Sequence, residues 1–257
     1  MRPLKRRCSP ASRDFWETRP WSKSLERLCL PRCNRCLLAP RGLLVNTADS
    51  TPVQADVPAG HIEFWFDFGS TYSYLAAMRI EGMASLRGVK VLWRPFLLGP
   101  IFKAFGWQSS PFLEQKEKLA YMWRDMERQC RKYGLQWRRP TVFPRSAVLP
   151  LRVVLAWAEA PWIADFCRLA MLQNFAQDRE IEEIRNVEAA LAALSLPVAS
   201  VLARAQSQEN KLELRRQTER ARALGVFGGP TFFAGREMFW GNDRLEDAIE
   251  QAYEGLQ

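Results

Sequence analysis

The strongest constraint on the fold is the order in which two kinds of apolar periodicity follow one another. Apolar residues occupy every second position over residues 62–68, which predicts a first strand with one aromatic face in a core. The spacing then becomes helical over residues 72–83 and alternates again over residues 89–93. Strand, helix and strand in this order predict a βαβ unit with parallel strands.

A long helical block follows this unit. From about residue 109 to residue 224 the apolar period stays near 3.6 residues. Its clearest stripe runs from Leu119 to Tyr133, and Ser110 and Pro111 suit the N-cap and first turn of that helix. This part of the chain is therefore expected to be entirely helical.

The C-terminal part returns to strands at 231–234 and 238–240, followed by a helix that Asn242 could cap. Neither end of the chain can bury its strands alone, so the economical solution is one four-stranded sheet built from both ends. The predicted class is α/β, with a thioredoxin-like topology and a large all-helical insertion. The predicted boundaries are a disordered basic extension at 1–58, a thioredoxin-like domain at 59–108 and 224–257, and an inserted helical domain at 109–223.

Charge and cysteines are concentrated at the N-terminus. Residues 1–48 hold eleven Lys/Arg and three Asp/Glu, a net +8, whereas the rest holds 26 basic and 25 acidic residues. Because the body is nearly neutral, it is not expected to bind nucleic acid. A gene start placed too early, with initiation near Val57, would explain the extension. No apolar run has the roughly 18 residues that a membrane span needs, so we expect no membrane contact and a cytosolic or lumenal protein. Of these two locations we expect the cytoplasm.

Three segments could carry chemistry, and each also has a purely structural interpretation. Ser70 stands at a strand-to-helix junction, where it could hydrogen-bond an anion or a thiolate, or serve only as an N-cap. Gly229 and Pro230 form a turn that would expose backbone groups if the bond were cis, although a trans proline at a strand start is commoner. Asn242 and Asp243 begin the last helix, where helix-dipole chemistry alone also favours an acid.

Taken together, these segments resemble the family of 2-hydroxychromene-2-carboxylate isomerases and kappa-class glutathione transferases. The resemblance runs from about residue 61 to the C-terminus. It is carried by residues 66–74, residues 93–99, Lys118 with Tyr121, Met122 and Asp125, residues 225–228, and residues 240–245.

The resemblance implies a dimeric thioredoxin fold in which a serine holds the thiolate of glutathione, the cosubstrate. Ser70 matches that serine. It further implies that Gly229 and Pro230 pair with the glutathione backbone. Asn242 and Asp243 would bind its γ-glutamyl end, and Lys118 matches a binding-site lysine.

Two positions depart from the family pattern. Thr71 stands where the family usually has proline, which leaves the junction less rigid. Trp107 stands where the family has a binding-site asparagine, so one polar contact to glutathione is expected to be lost and the pocket to be more apolar. Trp93 and Trp123 are further candidates for apolar walls.

The function that the resemblance implies is glutathione-dependent isomerisation of a small aromatic acid. Glutathione transfer of the kappa type, or binding of a thiol or aromatic acid without turnover, remain open. Thiol-disulfide exchange is disfavoured because the junction at Ser70 lacks a Cys-x-x-Cys pair. Such a pair, Cys33 and Cys36, lies in the N-terminal extension. Together with Cys8 and Cys29 it has a spacing that only weakly resembles a set of zinc ligands. No metal is expected. A serine hydrolase is disfavoured because His61 is the sole histidine and no base completes a triad.

Overall fold

The computed structural model describes residues 53–257. The predictions that concern residues 1–52, including the four N-terminal cysteines, lie outside the described residues.

A four-stranded mixed sheet forms the centre of the fold, with the strand order β2-β1-β3-β4. The central strand β1 pairs in parallel with β2 and antiparallel with β3, and β4 continues antiparallel at the edge. This is the predicted thioredoxin-like topology, which is confirmed. The strands are β1 (His61–Phe66), β2 (Lys90–Pro95), β3 (Thr231–Ala234) and β4 (Glu237–Trp240).

Helices connect and cover the strands, and most of them lie between β2 and β3. Within residues 53–257, no helix combines the length and apolar character needed to cross a lipid bilayer. The helices are α1 (Thr71–Ala77), α2 (Ile80–Leu86), α3 (Leu98–Ala104), α4 (Pro111–Glu114), α5 (Lys116–Tyr133), α6 (Val148–Ala156), α7 (Ile163–Phe175), α8 (Ile184–Ala193), α9 (Val198–Ala205), α10 (Gln208–Ala223) and α11 (Leu245–Glu254).

The strand β1 is buried on both faces, whereas the alternation had predicted one aromatic face in a core. Phe64 stacks on Phe232 on one face, with ring centroids 5.4 Å apart. On the other face Trp65 is fully buried in a second apolar cluster. Glu63 is buried beside it because its carboxylate accepts hydrogen bonds from Trp65 Nε1 at 2.9 Å and from Arg94 Nε at 2.8 Å. A polar residue in an alternating pattern can thus be buried where a cation pairs with it.

Two predicted helices are interrupted. The stripe after Ser70 breaks at Met78 and Arg79 into α1 and α2. Ser110 and Pro111 begin the short helix α4, not the long helix α5, which starts after an extended Gln115. The apolar period continues across both breaks because each pair of helices packs on the same core.

The chain is packed against the sheet before the predicted boundary at residue 58. Ala55 and Val57 are buried in the second apolar cluster. The N–H of Val57 donates to the carbonyl oxygen of Gly235 at 3.0 Å. Packing therefore begins a few residues earlier than the sequence indicated.

Candidate active site

Ser70 lies between β1 and α1 and lines a cleft. Its Oγ accepts a hydrogen bond from the backbone N–H of Ser73 at 3.2 Å, so the residue is a true N-cap. The same hydroxyl donates to the carbonyl oxygen of Gly229 at 2.9 Å, although the two residues are 159 positions apart. The structural and functional interpretations of Ser70 are therefore compatible.

The turn before β3 carries the second predicted segment. The Gly229-Pro230 peptide bond is cis, the alternative to the trans geometry that is commoner for proline. The carbonyl oxygen of Pro230 accepts the N–H of Gly241 at 3.0 Å, and the hydroxyl of Thr231 donates to the carbonyl oxygen of Gly228 at 2.8 Å. These bonds hold the turn next to the end of β4.

The start of the last helix carries the third segment, and here one prediction is wrong. Asn242 does not cap α11; it begins a short 3₁₀ turn, and its side-chain oxygen accepts a hydrogen bond from Arg79 at 2.9 Å. Arg79 also forms an ion pair with Glu246. Asn242 is buried, whereas the side chain of Asp243 is 75% exposed beside the cleft.

The carboxylate of Asp67, which the sequence did not single out, accepts hydrogen bonds from the backbone at the junction before Ser70. Asp67 is buried, and its two oxygens accept the N–H groups of Gly69 at 2.8 Å and Leu98 at 2.9 Å. Burial raises the pKa of Asp67, and the two hydrogen bonds oppose that rise. The residue ties the end of β1 to the start of α3, and it also lines the cleft. In the sequence it looked like a solvent-facing member of the alternating pattern.

The cleft has a volume of about 1560 Å³ and brings together six of the seven predicted site residues. Ser70, Lys118, Gly229, Pro230, Asn242 and Asp243 all line it. Three lysines from α3 and α5 line the cleft: Lys103, Lys118 and Lys132. None of the three forms an ion pair with a carboxylate of the described residues.

Trp107 is the predicted site residue that the structure places elsewhere. It does not line the cleft, and its neighbour Gln108 does. Trp93 and Trp123 are buried core residues and form no wall either. Helical spacing could not separate these core tryptophans from pocket residues. The aromatic side chains that do line the cleft are Phe102, Phe112, Phe143, Phe227 and Trp240, with Tyr72, Tyr121 and Tyr133.

Two polar features near Ser70 bear on what the cleft can bind. Ser73 Oγ is fully buried and has no hydrogen-bond partner among the described residues. Tyr72 donates its hydroxyl proton to Asp125 at 3.0 Å, and burial together with that carboxylate raises the pKa of Tyr72. Tyr72 therefore stays a neutral phenol.

The thiols of the described residues lie away from the cleft. Cys130 and Cys167 are free and buried within apolar helices. Burial raises the pKa of Cys130 to about 12 and also raises that of Cys167. Neither lines the cleft, so no thiol of residues 53–257 stands where thiol-disulfide exchange would need one.

The fold and the cleft define a thioredoxin-fold protein with a serine at the helix start where disulfide oxidoreductases have a cysteine. A family model for the DSBA-like thioredoxin domain matches residues 61–254. The chain belongs to this family.

Curated relatives within it carry a more specific name. The chain is 31% identical over 195 residues to a 2-hydroxychromene-2-carboxylate isomerase of Pseudomonas putida, an alignment that covers 72% of this chain and 90% of the relative. It is 27% identical over 187 residues to the enzyme of that name from Sphingobium xenophagum, covering 72% and 94%. A solved structure of 2-hydroxychromene-2-carboxylate isomerase matches with a TM-score of 0.68 and 25% identity, over 76% of this chain and 95% of that one. The predicted family is thereby confirmed, and the homologues are isomerases.

Proposed function

We propose that this protein is a glutathione-dependent isomerase, similar to 2-hydroxychromene-2-carboxylate isomerase, that acts on an acid of aromatic catabolism. The observation that carries the proposal is the placement of the Ser70 hydroxyl at the cleft, between the N–H of Ser73 and the carbonyl of Gly229. We further propose that the protein works in the cytoplasm as a homodimer.

The residues of the cleft fit glutathione in charge and in hydrogen-bonding capacity. Asp243, whose exposed carboxylate also forms an ion pair with Arg244 at 3.3 Å, offers its oxygens to the ammonium of the γ-glutamyl end, and Lys118 offers an ammonium to a carboxylate. Gly229 and Pro230 would pair with its peptide backbone. The Oγ of Ser73, which has no hydrogen-bond partner among the described residues, lies beside this turn. A Cβ built on Gly229 would be only 3.2 Å from this oxygen.

When bound, glutathione would supply a thiolate that adds reversibly to the conjugated chain of the ring-opened acid and so permits rotation about the former double bond. Ser70 would turn its hydroxyl proton from the Gly229 carbonyl to the sulfur. A hydrogen bond to the charged form lowers a pKa, so Ser70 would keep the thiol ionised near neutral pH. This chemistry needs no histidine base.

The other two unpaired lysines of the cleft, Lys103 and Lys132, would hold the carboxylate of the acid. Their charge also lowers the pKa of a nearby thiol, which reinforces the effect of Ser70. The aromatic side chains on the walls would exclude water from the reacting chain.

The test is an isomerase assay with 2-hydroxychromene-2-carboxylate, with and without glutathione, on the wild type, Ser70→Ala and Ser207→Ala. Ser207 caps α10 as Ser70 caps α1, accepting the N–H of Asn210 at 3.1 Å, and does not line the cleft. Either substitution removes a cap worth about 1 kcal/mol of stability. We expect activity only with glutathione, a loss of kcat/KM on the order of tenfold to a hundredfold in Ser70→Ala, and near-normal activity in Ser207→Ala.

Activity without glutathione, or full activity of Ser70→Ala, would contradict the proposal. Transfer of glutathione to an electrophile without isomerisation would instead indicate a transferase of the kappa type. Binding of glutathione without any product would indicate a non-catalytic binding protein.

A further inference from the structure

Two aromatic side chains that line the cleft are left partly exposed by the rest of the described fold. Trp240 is 52% exposed and Phe227 is 40% exposed. Their rings contact one another, with centroids 4.9 Å apart and planes inclined by 56°. Both side chains line the same cleft as Ser70.

The exposure of Trp240 follows from its place in the sheet. In the antiparallel pair of β3 and β4, Phe233 lies opposite Met238 and Thr231 lies opposite Trp240, so Trp240 and Phe233 are on the same face. Phe233 is buried in the second apolar cluster. The cluster does not extend over the edge strand, where Met238 and Trp240 remain exposed.

The backbone holds the pair in a fixed position next to Ser70. Phe227 lies two residues before Gly229, whose carbonyl accepts the Ser70 hydroxyl. The indole of Trp240 packs directly on Gly228, where an added Cβ would lie only 2.5 Å from Nε1. Any side chain at position 228 would therefore displace the indole.

Exposed aromatic surface inside a cleft favours a flat apolar ligand. Burial of such surface is favourable by about 25 cal/mol per Å², and stacked or edge-to-face rings gain more beyond the area term. Apolar walls with a few polar groups are typical of small-molecule sites. The unpaired Lys103 on α3, in the same cleft, adds a positive charge that suits an anion.

We propose that Phe227 and Trp240 form an aromatic platform on which the ring of an aromatic carboxylic acid stacks. The inference rests on the proposed function, because it assigns the ring-binding part of the same cleft. It makes the platform, rather than the core tryptophans, the element that selects aromatic over aliphatic acids.

The test is equilibrium binding of cinnamate and of its ring-saturated counterpart, 3-cyclohexylpropenoate, in the presence of S-methylglutathione. The variants are Trp240→Leu and Phe227→Leu, which keep an apolar side chain but remove a ring. Phe105→Leu is the matched control, because Phe105 is 59% exposed and does not line the cleft. Affinity for glutathione alone and molar mass in solution are measured on every variant.

The platform predicts that wild type prefers cinnamate, and that each platform variant loses about threefold to tenfold in cinnamate affinity while Phe105→Leu does not. Glutathione affinity should stay unchanged in all three variants. Equal cinnamate affinity in wild type and the platform variants, or no cinnamate binding by wild type, would overturn the inference. A change of molar mass in the platform variants would also overturn it, because the pair would then join two copies of the chain.

The two proposals fail in different ways. Loss of cinnamate binding in the platform variants, in a protein that binds no glutathione, would support the aromatic site and reject the proposed isomerase. If the protein binds glutathione but the platform variants bind cinnamate as tightly as wild type does, the aromatic platform is rejected and the proposed isomerase is not.

Discussion

Ser70 and Gly229 are joined by a hydrogen bond of 2.9 Å from a side-chain hydroxyl to a backbone carbonyl, across 159 positions of sequence. The bond links the β1–α1 junction, inside the βαβ half of the sheet, to the turn that precedes the ββα half. The inserted helices lie between these two halves in the chain, and α5 borders the same cleft. The predicted thiol site therefore forms only when both halves of the thioredoxin-like sheet are assembled.

Lys118 is predicted to strengthen glutathione binding through its charge. Lys118→Met should lower the affinity about threefold to tenfold at low salt, and the loss should shrink as ionic strength rises, because exposed charges are screened. Lys116→Met is the control, since Lys116 is exposed on the same helix and does not line the cleft. Calorimetric titrations at two salt concentrations measure both effects, and equal affinities of the two variants would count against the assignment of Lys118.

Gly241 is predicted to orient Asp243. Gly241 has φ of 108°, and a Cβ there would lie 2.5 Å from Asp243 Oδ1. Gly241→Ala should therefore displace the carboxylate and weaken glutathione binding about tenfold, as expected when a charged hydrogen bond is lost. Gly235→Ala strains a backbone of φ 58° in open space away from the cleft, and should lower stability without changing affinity. Similar affinity in both variants would count against the assignment of Asp243.

The ion pair of Arg145 and Asp178 is predicted to make stability fall in acid. Arg145 is buried, and its hydrogen bond at 2.5 Å lowers the pKa of Asp178 to about 2. A carboxyl group whose pKa is lower in the folded state stabilises the fold above the unfolded pKa near 3.9, and this contribution is lost as the pH falls toward 2.

Urea unfolding of wild type and Asp178→Asn at several pH values measures this contribution. The free energies of unfolding should differ by about 1–3 kcal/mol at pH 6, and the difference should close between pH 4 and pH 2. A difference that does not depend on pH would mean that the ion pair does not cause it.

Cys130 and Cys167 are predicted to be unreactive in the folded protein. Burial raises the pKa of both thiols, so little thiolate forms at pH 8. Iodoacetamide followed by peptide mass spectrometry should leave both unmodified in the native protein and label both in urea. Cys130→Ala and Cys167→Ala should keep isomerase activity, whereas a dependence of activity on either thiol would favour redox chemistry.

The sequence predicted the topology because each half of the sheet carries its own periodicity. The strands β1, β3 and β4 and the helix α11 lie where alternation or helical spacing placed them. The family resemblance then selected Ser70, Gly229 and Pro230 out of segments whose local interpretation was structural. Their meeting in one cleft follows from the order of the strands.

Other features depend on tertiary contacts that periodicity does not report. Glu63 and Asp67 are buried because Arg94 and the N–H groups of Gly69 and Leu98 satisfy them. Asn242 is a residue type that caps helices well, but its side-chain oxygen accepts a hydrogen bond from Arg79 instead of from a helix N–H group. Such partners lie far away in the sequence and become visible only when the chain is folded.

The most direct test of the central claim is the pKa of the glutathione thiol bound to wild type and to Ser70→Ala. It is measured by thiolate absorbance during a pH titration, beside calorimetric affinities. In wild type we predict a bound thiol with a pKa below that of free glutathione. In Ser70→Ala we predict a pKa closer to the free value, with weaker binding. The same bound-thiol pKa in both proteins would contradict the claim that Ser70 holds the thiolate.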